Sequence, residues 1–265
     1  MAFYATNFIF DDIPSEFYNL RLGVFNSAGE DISAGSDDVN LLTQKLYRRP
    51  IPLFWGAEQT PVLTFPLSVY STSEITAQNY SDIAGWLFGQ QNYKELRVCQ
   101  NDMADVYFNC FLTAPQIVRE GNIIRGFTTT AICDSPWGWK ESKHYTYTYN
   151  TNYYTTDNIA FLNESANSFY TFPTEVKITA NLYGGSVTIT NTSDGSRQSV
   201  LTVLPNEVIT INSDLQTISS DLITYPLYNF NLNFPRFIRG TNNLVITGNI
   251  YQLEITTPVA VKISG

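Results

Sequence analysis

Hydrophobic positions alternate with polar ones along most of this chain, which is the period of a half-buried β-strand. The second half shows it most clearly. Residues 175–182 place Val176, Ile178, Ala180 and Leu182 on one face. Gly184-Gly185 then offers a two-residue turn where positive φ costs little, and residues 186–190 return as a partner strand. Asp194-Gly195 marks the next turn, into residues 200–204, and Pro205-Asn206 leads into residues 207–211. Residues 243–247 and 250–256 flank Gly248-Asn249, a further hairpin signal. Pro258 closes that strand, and residues 259–263 read as a last one. Short strands at this spacing predict an antiparallel sandwich or jelly roll.

The first half is mixed. Residues 7–10 and 20–25 read as strands around a turn at Pro14-Ser15-Glu16, and residues 62–70 as another. Ile75, Tyr80, Ile83, Ala84, Trp86 and Leu87 recur at helical spacing, with Ser81-Asp82 initiating the strongest part and Gly89 as the stop. Two hairpins follow. Residues 96–99 pair with 107–110 across Asn101-Asp102, and 117–119 with 123–125 across Glu120-Gly121-Asn122. Sheet, one short helix, then sheet is an α+β order rather than alternating βαβ.

Between the halves, residues 144–154 run His-Tyr-Thr-Tyr-Thr-Tyr-Asn-Thr-Asn-Tyr-Tyr, a strand with a polar face opposite an aromatic one. Residues 155–158 and 163–168 read as polar loops. The domain boundary therefore falls within residues 140–170, giving an N-terminal domain of 1–145 and a C-terminal β-sandwich of 146–265. The fold class is mainly β.

Composition narrows the function. The 265 residues hold 15 Lys+Arg against 24 Asp+Glu, a formal charge of −9, with charged residues only 15%. Broad nucleic-acid binding needs clustered cations to displace counterions, and docking on an anionic membrane needs them too. Neither is expected. No run approaches the roughly 20 apolar residues of a membrane span, and Met1 to Asn7 lacks a basic start and apolar stretch. The expectation is a chain made and folded in a cytoplasm. Cys99, Cys110 and Cys133 then read as buried small hydrophobes. The sequons at Asn79, Asn163 and Asn191 carry no weight without secretion.

Candidate chemistry is sparse. His144 stands alone on its strand, without a Gly-x-Ser-x-Gly elbow. No Cys or His spacing fits zinc. Asp11-Asp12 and Asp37-Asp38 read as solvated turns, and residues 191–196 lack the closing carboxylate of a calcium loop. No phosphate-binding Gly-Lys-Ser/Thr loop occurs. The reading is therefore no enzyme, no cofactor and no metal. Tyr145, Tyr147, Tyr149, Tyr153 and Tyr154 could stack on sugars, though a tyrosine-rich strand is more commonly sheet surface or a contact with another protein.

The order of residues is more specific. Residues 4–22 (Tyr-Ala-Thr-Asn-Phe-Ile-Phe-Asp-Asp-Ile-Pro-Ser-Glu-Phe-Tyr-Asn-Leu-Arg-Leu) open the chain. Trp86-Leu87 is followed by Tyr93-Lys94-Glu95-Leu96, and Asn101-Asp102 by the strand 106–111. Cys133-Asp134-Ser135-Pro136-Trp137-Gly138-Trp139 comes next. Phe234-Pro235-Arg236-Phe237 and the stretch from Gly240-Thr241-Asn242 to Gly248 come last. In this order the pieces resemble the distal tail proteins of long-tailed, siphovirus-type phages.

That resemblance implies a structural virion protein at the tail tip, assembled in the host cytoplasm. It implies a homo-hexameric ring whose N-terminal domain stacks on the tail tube protein. The other side would hold tail-associated, tape-measure or receptor-binding proteins, and DNA would only pass through the lumen, with no membrane insertion. The C-terminal domain would be a galectin-like sandwich pointing outward, with no room for an inserted sugar-binding module. Trp86, Leu87, Asp134, Pro136, Pro235, Gly240 and Asn242 carry over as structural signature positions. Within residues 41–66, Phe54 and Trp55 are the expected inter-subunit contact, against the alternative of a loop folded on its own domain. The acidic charge would line the channel and keep DNA from sticking. The competing reading is a carbohydrate-binding module for host adhesion.

Overall fold

The structure is a computed structural model. It describes residues 5–23, 39–45, 51, 53–59, 62–150, 153–166, 170–224 and 226–262. Phe25, Asp37-Asp38 and Ile263, and the prolines Pro50, Pro52 and Pro61 within the expected contact segment 41–66, lie outside the described residues. The protein is mainly β and forms two compact units, one ending at Trp139 and one of Lys140–Val261. The expected boundary at 145/146 falls inside a strand, Gly138–Thr148. No described helix is long and apolar enough to cross a membrane.

The first unit contains β1 (Phe8–Phe10), β2 (Ile13–Pro14), β3 (Leu20–Leu22), β4 (Val39–Gln44), β5 (Leu53–Gln59), β6 (Thr64–Ile75), α1 (Ala77–Phe88), β7 (Lys94–Val98), β8 (Phe108–Leu112), β9 (Gln116–Glu120) and β10 (Ile123–Cys133). The main sheet has the order β2-β1-β7-β8-β10-β6-β3, and β9 continues along the β10 edge that β8 begins. Both hairpins form as expected, with Leu96 opposite Phe108 and Ile124 opposite Arg119. Alternation along these strands sends Phe8, Phe10, Phe65, Leu96, Phe108 and Phe127 into one core. Strands β4 and β5 form a separate two-stranded sheet.

The helix covers nearly the span that its periodicity suggested. Thr76 is its N-cap, because the Thr76 hydroxyl accepts the Asn79 N–H at 3.2 Å, and Ser81-Asp82 lie inside the helix. Ile75 is the last residue of β6 rather than part of the helix. At the far end Gly89 is the cap, where a Cβ would lie 2.5 Å from the Gly85 carbonyl oxygen. Ile83 and Leu87 form the buried side of α1, and Phe88 meets Phe127 edge-on at 5.4 Å.

The second unit contains β11 (Gly138–Thr148), β12 (Thr155–Asn163), β13 (Glu175–Ala180), β14 (Gly185–Asn191), β15 (Arg197–Val203), β16 (Val208–Asn212), β17 (Thr217–Ser220), β18 (Gly240–Gly248) and β19 (Ile250–Val261). They form two antiparallel sheets, β11-β19-β13-β16-β17 and β12-β18-β14-β15. Inward residues of both sheets share one core, including Val176, Ile178, Val187, Ile189, Leu201, Ile209, Leu244, Ile246 and Leu253.

Four expectations for this half are corrected. Strands β13 and β14 are not a hairpin, since β13 pairs with β16 and β19 while β14 pairs with β15 and β18. The glycines turn a corner between sheets instead. A Cβ on Gly184 would lie 2.7 Å from backbone atoms of Val203, Leu204 and Pro205. Gly248-Asn249 is likewise a corner, with Gly248 at φ +131° and so placed that a Cβ on it would lie 2.3 Å from the Ser186 carbonyl oxygen. Pro258 does not close β19, because it lies past Thr256, the residue paired with the first residue of β13. The polar stretch 155–158 is strand, paired residue for residue from Thr155↔Gly248 to Asn163↔Gly240. Thr156 and Asn158 are on the outer face, Thr155 and Asp157 are half-buried on the face of Ile159, Phe161 and Asn163, and the last three are buried.

Candidate interaction surface

Among the described residues no cluster of three or more His, Cys, Asp or Glu could hold a metal ion. His144 is exposed on β11, bonded to the Thr256 and Thr146 hydroxyls at 3.0 and 3.1 Å. The carboxylate beside it, Glu254, is paired with Lys177 at 2.9 Å. Asp11 sits in a tight turn at φ +50° and pairs with Lys94 at 2.9 Å. These groups are occupied with holding strands and turns.

Apolar surface stands out instead. On the β4–β5 hairpin the register runs Leu42↔Gly56, then Thr43↔Phe54, so Trp55 is the extra residue of a β-bulge. A bulge re-aims side chains and interrupts pairing. Here it leaves Phe54 65% and Trp55 69% exposed, with Leu42 on the partner strand and Ile51 just before β5 exposed as well. A two-stranded sheet is marginal alone in water, and this one carries its largest apolar groups uncovered.

A second exposed set lies at one end of the sandwich. Tyr153, Tyr154, Leu182, Tyr183 and Leu204 are all exposed. They come from three segments tied together by Asn181, which is buried. Its amide donates to the Tyr153 carbonyl at 3.1 Å, its Oδ1 accepts the Tyr183 N–H at 3.0 Å, and its carbonyl accepts the Asn206 N–H at 2.9 Å. Tyr145, Tyr147 and Tyr149 are different. They pack against the core, with Tyr145 5.0 Å from the Phe161 ring and its hydroxyl donating to the Leu162 carbonyl. Of the five tyrosines considered for a sugar platform, only Tyr153 and Tyr154 face solvent.

The signature positions fall in three separate places and build fold, not one site. Trp86 is half-buried on α1. Its indole N–H donates to the Phe10 carbonyl at 2.9 Å, and its ring stacks on Phe8 and Tyr18 at 6.0 and 5.0 Å. Leu87 beside it is fully buried. Asp134 clamps the turn after β10, accepting from Asn109 at 3.0 Å and from the Trp139 indole at 3.3 Å. Pro136 lies in that turn, partly buried. Pro235 is buried, and Gly240, at φ +93°, precedes the fully buried Asn242.

Asn242 belongs to a polar layer that the sequence reading missed. Its Oδ1 accepts from Asn191 Nδ2 and the Ile238 N–H, both at 3.0 Å, while its Nδ2 donates to the Ile238 and Gly240 carbonyls at 2.8 and 3.1 Å. Asn191 also donates to the Arg236 carbonyl at 3.1 Å, and Asn163 to the Ile238 carbonyl at 3.0 Å. Three buried asparagines thus hold the segment that leads into β18. Arg236 is fixed from outside by a bidentate pair with Asp194, at 2.7 and 3.2 Å, and lies 3.7 Å over the Tyr170 ring. The hydrogen bonds and charge of Asp194 raise the pKa of that guanidinium further. The signal lies in the alternation: Asn163, Asn191 and Asn242 each sit at an inward position of an alternating strand.

Comparison with known proteins adds the following. Residues 3–135 match the family described as phage tail protein N-terminal domain, and residues 137–257 match the phage tail C-terminal domain. No curated protein matches the chain. Among solved structures it is similar to the Dit protein of phage SPP1, described as a paradigm of the hub adsorption apparatus in phages infecting Gram-positive hosts. There the TM-score is 0.67 at 9% identity, covering 95% of this chain and 98% of that one. It is also similar to chains of the phage p2 baseplate in its activated conformation. With calcium the TM-score is 0.50 at 10% identity, covering 92% and 91% of the two chains. With strontium the TM-score is 0.51 at 10% identity, covering 97% and 98%.

Proposed function

The chain belongs to the phage tail protein family defined by those two domains, and on that premise we propose that it is a distal tail protein, a structural part of the virion's tail tip. The observation that carries this reading is the fold, whose likeness to SPP1 Dit runs through nearly all of both chains. In this reading the protein is a baseplate hub and catalyses nothing. Six copies close into a ring between the tail tube protein and the tail-associated, tape-measure or receptor-binding proteins. The N-terminal domain builds the ring, and the C-terminal domain is an outward, galectin-like sandwich. DNA meets the protein only in transit.

The physics supports a ring. Closed cyclic assembly uses heterologous contacts, so each subunit must offer two different surfaces. The bulged hairpin with Phe54 and Trp55 is one such surface, since exposed aromatic pairs at this density mark protein contacts. The −9 charge would face the lumen and repel DNA. Native mass spectrometry of the full chain tests the proposal. A species at six times the 29.9 kDa subunit is expected; a monomer at all concentrations overturns it.

The carbohydrate-binding alternative draws on one observation, the exposed Tyr153, Tyr154 and Tyr183 on adjoining loops. A glycan array probed with the full chain distinguishes it. Binding that Tyr153→Ala and Tyr183→Ala abolish would favour adhesion.

A further inference from the structure

Cys110 on β8 and Cys133 on β10 are direct partners across an antiparallel pair. The flanking hydrogen bonds fix the kind of pair. Asp134 donates its N–H to the Asn109 carbonyl at 2.9 Å, joining the residue after one cysteine to the residue before the other. Thr113 donates to Thr130 at 2.9 Å, in the same phase of the ladder. This is the non-hydrogen-bonded type of pair, in which Cα atoms approach to about 4.5 Å and side chains lie closest. A disulfide needs Cα atoms roughly 4.4–6.8 Å apart. Residues directly opposite share a face, and both cysteines are completely buried on the core side. Both thiols are free.

Burial suppresses their chemistry. It raises Cys133 to about 12, and Cys110 also lies well above its usual value, each thiol further opposed by the Asp134 charge. The attacking species in disulfide exchange is the thiolate. The folded protein therefore keeps two well-placed thiols that react only when the β8–β10 pairing opens.

We propose that Cys110 and Cys133 are a latent cross-strand disulfide, formed by exchange with a small-molecule disulfide such as oxidised glutathione. One cysteine thiolate attacks a glutathione sulfur and releases a glutathione thiolate. The second cysteine attacks the mixed disulfide and releases the other. The two cysteines lose two protons and two electrons, and glutathione disulfide is reduced to two thiols. The bond ties together two strands through residues 23 positions apart in the chain.

The test uses the full chain, incubated with oxidised glutathione with and without sub-denaturing urea, acid-quenched, unfolded and alkylated. Peptide mapping by mass spectrometry is expected to find Cys110 linked to Cys133, with the linked pair two hydrogens lighter and unalkylated. Urea should speed the reaction roughly tenfold by populating the open state. Cys99→Ser, which removes the exposed thiol, should leave the product unchanged. Full alkylation of Cys110 and Cys133 after prolonged oxidation in urea overturns the proposal, as does a bond from either of them to Cys99. Mapping the wild-type chain avoids reliance on core variants that fail to fold.

Discussion

Asn191 donates through Nδ2 to Oδ1 of Asn242, 3.0 Å away and fully buried. The two lie diagonally on neighbouring strands, since Asn191 is directly opposite Leu244. Each finds further partners in the Arg236, Ile238 and Gly240 backbone, so the buried amides are satisfied. Asn242→Ala strands the Ile238 N–H and the Asn191 amide, and a buried donor without an acceptor costs roughly 1–3 kcal/mol. A loss of roughly 3 kcal/mol is expected in urea unfolding. Combined with Asn191→Ala, the loss should fall short of the sum by about 1 kcal/mol, the signature of direct coupling.

The asparagine layer also shows what the sequence could tell. Asn163, Asn191 and Asn242 each continue an inward series: Ile159-Phe161-Asn163, Ile189-Asn191 and Asn242-Leu244. Period-two alternation states which side chains face a core: Val176, Ile178 and Ala180 are buried as it requires, while Leu182, past the end of β13, is exposed. It does not state which sheet a strand joins. The Gly184-Gly185 and Gly248-Asn249 signals therefore read as hairpins, although both are corners between sheets. A glycine with positive φ suits either, and only packing against Val203 or Ser186 decides. The exposed Phe54 and Trp55 were legible as apolar residues in a proline-punctuated stretch. The bulge that presents Trp55 was not, because bulges depend on register.

Gly248 gives a direct test of that corner. At φ +131°, with a Cβ 2.3 Å from the Ser186 carbonyl oxygen, it admits no side chain without moving backbone. Gly248→Ala is expected to cost roughly 2–4 kcal/mol, from strained dihedrals plus the clash. Gly121→Ala, at φ +60° with open space around it, is the control. It should cost only about 1 kcal/mol, the left-handed penalty alone. Equal losses would mean the corner is not tightly packed.

Trp86 supports the first unit in two ways that substitution can separate. Trp86→Phe keeps a ring against Phe8 and Tyr18 but leaves the Phe10 carbonyl without its indole donor. It should cost about 1 kcal/mol. Trp86→Ala removes the stack as well and should cost roughly 3 kcal/mol, at the lower end for large core truncations because the ring is only half-buried. Thermal or denaturant unfolding of the full chain reads both.

Tyr149 packs on the core with a hydroxyl that lacks a hydrogen-bond partner. Burial first, then the Asp157 charge, raises its pKa from 10.0 to about 12. Between those values the unfolded chain has lost the proton that the folded chain keeps. The stabilising contribution is therefore whole below about pH 10 and is lost as pH rises to about 12. Tyr149→Phe should flatten the stability profile across that window. At neutral pH it should be neutral or gain up to about 1 kcal/mol, because it removes an unsatisfied buried group. Denaturant midpoints at pH 7, 10 and 11.5 check the sign, and a steeper alkaline loss in the variant would contradict it.

Phe54 and Trp55 separate assembly from folding. Both are about two-thirds exposed within the single chain, so replacing them with serine removes little buried area from the subunit itself. Exposed substitutions away from packed features usually change stability by no more than about 0.5 kcal/mol. In a ring the same residues would sit in a desolvated interface, where truncating a large aromatic costs upward of about 2 kcal/mol. A closed ring multiplies that cost, because every interface carries the change. Phe54→Ser with Trp55→Ser should therefore leave the unfolding midpoint of the subunit in place while abolishing the high-mass species in native mass spectrometry. If the assembly persists unchanged, the hairpin is not the contact. If the subunit itself unfolds more readily, the hairpin packs on its own chain and the exposed aromatics belong to its fold.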